Sequence, residues 1–84
     1  MYDRQSLLAE LQQIFHQVFD DKSIQLTEAT TAADIGEWNS LNHMHLIAEI
    51  ESHFALEFTF DEVVNFKNVG DMIKALIAKK DHGI

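Results

Sequence analysis

The sequence predicts an all-α fold, a small bundle of three main helices and one short one, with a long loop between the first two helices. Three observations carry this. Apolar residues recur at helical spacing in three separate segments. Proline is absent and glycine appears only three times, so little punctuation interrupts the chain. The single alternating stretch, ALEFTF, has no partner strand elsewhere and cannot build a sheet by itself.

The first helix is expected over about residues 3–20, where Leu7, Leu11, Ile14, Phe15 and Val18 form one stripe that Leu8 and Phe19 widen. Periodicity then lapses over about residues 21–38, where turn formers mix with scattered apolar residues. A loop that long inside a compact domain must be pinned or functional. Ile24, Leu26, Ile35 and Trp38 are the expected pins, and TTAAD can form one short helical turn. The second helix runs from about 40 to 53 behind Asn39 or Ser40, both good N-cap residues. ALEFTF reads as an extended connector, after which Asp61 is expected to cap a short helix over about 61–66. Asn68, with Asp71 three residues on, caps the last helix over about 69–80, which turns Val69, Met72, Ile73, Leu76 and Ile77 toward the core.

Composition narrows the function. With 84 residues the chain is expected to form one domain over 1–84, too small for a cleft between two lobes. It has no cysteine, which removes disulfides and thiolate metal sites. Fourteen acids against six bases give a net charge of −8, a field that repels nucleic acid and anionic lipid and favours basic patches on other proteins. No apolar run approaches the roughly 18 residues of a membrane span. MYDRQSLLAE mixes acid, base and glutamine where a signal peptide needs a basic end and an apolar run, so a cytoplasmic location is expected.

The second helix holds the main clue. On a wheel advancing roughly 100° per residue, His43, Leu46, Ile47, Ile50 and Phe54 share one arc that must face the core. Leu41, Met44 and Ala48 fall on nearly the opposite side, and a core-packed helix has no use for them there. Scattered exposed apolar residues are ordinary, but this stripe is in register and follows Ser40 directly, which points to docking.

The run WNSLNHMHLIAEIESHF resembles the second-helix signature of acyl carrier proteins, in which a serine followed by leucine bears a 4′-phosphopantetheine arm. The resemblance covers nearly the whole chain: the amphipathic first helix, the loop ending in DIGEW, FALEFTFDEV as connector and short helix, and NVGDMIKALIAKK as the closing helix. It implies that Ser40 is the attachment point and that the protein has no catalytic residues of its own. A serine hydroxyl is a poor nucleophile with no neighbouring base in sequence, so a phosphopantetheinyl transferase must activate it. A helix N-terminus exposes the hydroxyl and offers free N–H groups to the incoming phosphate. Further implied partners are acyl- or aminoacyl-loading and downstream biosynthetic enzymes, met through Trp38, Asn39, Leu41, Met44, His45 and Ala48 by a carrier expected to be monomeric.

Two departures from the family pattern bear on the pathway. Fatty-acid carriers usually have aspartate before the serine, and here Asn39 stands there; relatives that carry amino acids also lack that aspartate. The first turns of the recognition helix hold Asn42, His43 and His45, where fatty-acid carriers are acidic. This resembles a dedicated carrier, of the kind found in polyketide, nonribosomal-peptide or modified-sugar pathways, more than one serving fatty acid biosynthesis. A second reading is an unmodified carrier-fold module that binds a partner through the exposed face of the second helix. Metal binding is not expected, since His43 and His45, two apart on a helix, point about 160° from each other.

Overall fold

The computed structural model describes residues 3–82, with side chains as far as Lys79. Four α-helices follow in order, α1 Arg4–Val18, α2 Ser40–Phe54, α3 Phe60–Asn65 and α4 Val69–His82, with a 3₁₀ turn at Ala32–Asp34. The fold is all-helical, and no strand occurs among the described residues.

Each main helix buries the stripe its sequence spacing dictates. α1 contributes Leu7, Leu11, Ile14 and Phe15, α2 Leu46, Ile47, Ile50 and Phe54, and α4 Val69, Met72, Ile73 and Leu76, all 5% exposed or less. Full burial of such a side chain stabilises by roughly 1.5–3 kcal/mol. Val18, Leu8 and Ile77 sit half-buried at the edge of this core.

α1 is shorter than its apolar stripe. Asp3 caps it by accepting the Ser6 N–H at 2.7 Å, and Phe19 closes it with its own N–H on the Phe15 carbonyl. Asp20 then takes a left-handed backbone, φ 51°, which turns the chain out of the helix. Phe19 is still buried, because a side chain just past a helix end can continue the stripe.

The long loop is pinned from both sides. Ile24, Leu26, Ile35 and Trp38 are all 8% exposed or less. From α1, the Gln12 carboxamide accepts the Leu26 N–H at 2.9 Å, and the His16 ring bonds the Ile24 carbonyl at 2.7 Å. From α4, the N–H groups of Val69 and Gly70 donate to the carbonyls of Thr30 and Glu28 at 2.9 and 2.8 Å. The loop thus satisfies two donors that a helix start leaves free. Gly70 suits this approach, since a Cβ there would lie 3.1 Å from the Glu28 oxygen. Arg4 forks onto the Glu28 carboxylate, which raises the guanidinium pKa and lowers that of the carboxylate. TTAAD forms the expected turn, with the Asp34 carboxylate accepting the Thr31 N–H.

The start of α3 differs from the expectation. Thr59, not Asp61, is its N-cap, and Phe60 is its first residue. The Thr59 hydroxyl accepts the Glu62 N–H at 3.1 Å while the Glu62 carboxylate accepts the Thr59 N–H at 2.7 Å. This reciprocal pair outcompetes a single aspartate cap because it satisfies two donors together. Burial pushes the Glu62 carboxyl up, but the Thr59 N–H and the Lys79 ammonium at 2.9 Å outweigh it and hold its pKa below the ordinary value. At α4 the expected cap is present, with Asn68 Oδ1 accepting the Asp71 N–H at 2.9 Å. Among the described residues no helix is long and apolar enough to cross a membrane.

Candidate functional site

Ser40 is the first residue of α2 and is exposed. The segment leading to it is held by a series of short hydrogen bonds. The Trp38 N–H donates to the Ile35 carbonyl and the Asn39 N–H to the Glu37 carbonyl, both at 3.0 Å. Asn39 Oδ1 accepts the Asn42 N–H at 2.9 Å, and the Asn42 amide reaches back to the Glu37 carbonyl at 2.7 Å. Asn39 is therefore the N-cap of α2, a task for which asparagine serves as well as aspartate.

Trp38 anchors this arrangement from below. It is 7% exposed, edge-on to Phe15 at 5.1 Å between ring centroids, and tilted against Phe19 at 6.4 Å. Its indole N–H donates to His43 Nδ1 at 2.9 Å, and the two rings stack at 6.0 Å. Ser40 lies between these partners in sequence, on a junction that cannot move without breaking them.

The hydroxyl of Ser40 has no side-chain or base partner among the described residues. Nor, among the described residues, do its own N–H or that of Leu41 find an acceptor, since the Asn39 cap takes the next donors, Asn42 and His43. An exposed hydroxyl beside unpaired donors at the positive end of a long helix fits a phosphodiester.

The exposed stripe is as the wheel places it. Leu41 is 79% exposed and Met44 57%, and Ala48 is exposed one turn further on. His45 is also on the solvent side, 4.0 Å from the Glu49 carboxylate. The described histidine side chains serve separate partners: His16 the Ile24 carbonyl, His43 Trp38, His45 Glu49, and His53 Glu10. Trp38 is the exception among the expected recognition residues, because its burial lets it position the surface without forming much of it.

Sequence reasoning missed the second half of this surface. Phe60 is 78% exposed and Val64 57%, so α3 presents apolar side chains beside those of α2. Between the helices runs a groove of about 560 Å³ with Ser40 on its rim; Trp38, His43 and Met44 line one wall, and Phe60, Val63 and Phe66 the other. The Thr59-to-Glu62 capping signature was the signal that could have placed Phe60 on a helix.

Comparison with known proteins places the chain in a family. The family model for the phosphopantetheine attachment site matches residues 9–76. The solution structure of a holo acyl carrier protein from Geobacter metallireducens is similar, with a TM-score of 0.84 and 45% identity over 90% of this chain and 87% of that one. No curated protein matches the chain significantly. Together, the family match over most of its length and its likeness to a holo carrier show that the chain belongs to the acyl carrier protein family: it is a carrier and not an enzyme, and its cofactor is a covalently attached 4′-phosphopantetheine.

Proposed function

We propose that Ser40 bears the arm and that the protein presents an acyl or aminoacyl group to successive enzymes of a specialised biosynthetic pathway. The observation that carries the attachment point is the Ser40 hydroxyl itself, exposed at the first residue of α2 beside the unpaired N–H groups of Ser40 and Leu41. The arm supplies reach and a terminal thiol on which cargo is held as a thioester. The chain's own residues do the rest. Asn39 and Trp38 fix the direction in which Ser40 points, the α2 N-terminus favours the phosphate charge, and no neighbouring base activates the hydroxyl. Activation is left to the transferase.

The partner surface in this reading is Leu41, Met44 and Ala48, flanked by Asn39 and His45. Its support is the exposure of that stripe, with Leu41 79% and Met44 57% exposed and Ala48 exposed as well. The specialised pathway is supported by charge. The first two turns of α2 are neutral, and the first acids, Glu49 and Glu51, come well after Ser40. Glu51 is moreover engaged, its carboxylate accepting the Phe58 N–H at 2.8 Å. An enzyme that recognises carriers through acids in the first turns of this helix finds none there. Intact mass of the protein isolated from its native host tests the reading, since it gives the arm and the cargo in one measurement. A chain that is unmodified there would instead support a carrier-fold module acting only through the α2 face.

A further inference from the structure

We propose that His43 is a positioning residue that latches α3 to α2 and thereby sets the opening of the groove beside Ser40. An indole N–H can only donate, so His43 Nδ1, 2.9 Å from Trp38 Nε1, carries no proton. The ring proton of the neutral imidazole is then on Nε2, which donates to the Val63 carbonyl at 3.2 Å. One side chain of α2 thus spans from the core-anchored tryptophan to the last turn of α3.

That bond matters because α3 has little else to hold it. Six residues are too few for a helix to be stable alone, where roughly 12–15 are marginal. Only Val63 of α3 is buried, while Phe60 and Val64 face solvent. Its other tether, the Glu62–Lys79 ion pair, runs to α4 and not across the groove. Among the described residues, the His43–Val63 bond is the only hydrogen bond that joins α2 to α3. It connects the two walls of the groove, with Ser40 and Met44 on one side and Phe60 and Val64 on the other. At about 560 Å³ the groove is within the size range of small-molecule sites. A residue that fixes the separation of its walls therefore governs how large a group can settle there.

The consequence for cargo rests on the carrier reading above; the latch itself does not. Its test begins on the unmodified wild-type protein, with nitrogen NMR of His43. A proton on Nε2 and a scalar coupling from it to the Val63 carbonyl are expected; a proton on Nδ1 would overturn the proposal. Three substitutions then separate the two bonds. H43N keeps an acceptor near the Nδ1 position but is too short to reach Val63, H43Q reaches Val63 with an amide donor, and H43L makes neither bond. Solvent exchange of the α3 amides is expected to quicken about five- to tenfold in H43N and H43L, and to stay within about twofold of wild type in H43Q, as the loss of one net hydrogen bond implies. Equal exchange in H43N and H43Q would show that the Trp38 contact or simple packing holds α3, and would contradict the latch. Finally, straight-chain thioesters of rising length are loaded on protein whose mass already shows the arm. H43N is expected to protect longer chains from hydrolysis than wild type does. An identical length profile would sever the latch from cargo size, whereas failure to gain the arm would count against the carrier reading alone.

Discussion

The Trp38 indole donates a hydrogen bond to His43 across 2.9 Å, and the two rings stack, with Ser40 between them in the chain. A buried loop residue and a helix residue thus clamp the junction that exposes the serine. The indole also packs on Phe15 of α1, so the position of Ser40 is set by the core and not by the loop alone.

Replacing Trp38 should therefore unsettle both stability and modification. Trp38→Ala removes a large buried side chain and should cost about 3–5 kcal/mol. Trp38→Phe keeps much of the apolar contact but leaves His43 Nδ1 without its donor, so a loss of roughly 1–2 kcal/mol is expected. Urea unfolding of both variants measures these losses. No loss in Trp38→Phe would mean that the hydrogen bond contributes nothing beyond packing.

The exposed stripe should be dispensable for folding. Met44→Glu and Leu41→Glu replace side chains 57% and 79% exposed, and stability should change by no more than about 0.5 kcal/mol. Loading by partner enzymes should fall in both. Unfolding of Met44→Glu would instead show that the groove wall is part of the core. His45→Glu should improve handling by enzymes built for fatty-acid carriers, by about 1 kcal/mol or less in kcat/KM, because an acid there meets a basic partner. The cost is a like-charge pair with Glu49 one turn on, worth a few tenths of a kcal/mol of helix stability.

Acid should release α3 before the rest of the fold. The Glu62 carboxyl is held below its ordinary range, so its contribution is present above that range, about pH 4.3, and is lost as pH falls through the lower folded-state value. Lowering the pH from 6 toward 3 should loosen the Thr59 cap and the Lys79 pair together. In Glu62→Gln that pH dependence should shrink, because the amide carries no charge to lose. Chemical shifts of the α3 amides across the titration report the difference, and identical curves would place the acid sensitivity elsewhere.

How legible these features were depends on the range of the forces behind them. The α2 wheel separated Leu46, Ile47 and Ile50 from Leu41 and Met44 because helical period alone decides which side each residue faces. Ile24, Leu26, Ile35 and Trp38 stood out as pins because large apolar side chains in a polar loop have only the core to enter. The start of α3 is misplaced because ALEFTF alternates like a strand, whereas Phe58 is buried and Phe60, two residues on, is exposed, so the alternation does not continue. The cap that ends the alternation is a local signal, Thr59 with Glu62, that periodicity hides. The bond from His43 to Val63 and the groove itself were out of reach. They join residues twenty apart in sequence, and only packing brings those together.

Ser40 as the site of the arm is the claim on which the functional reading depends. Its most direct test is the intact mass of the purified protein after incubation with coenzyme A and a broad-specificity phosphopantetheinyl transferase, with fragmentation to locate the change. Wild type should gain the mass of one arm, on the peptide that contains Ser40, and folded Ser40→Ala should gain none. An arm on another residue, or no gain with several transferases on a folded wild-type protein, would contradict the account.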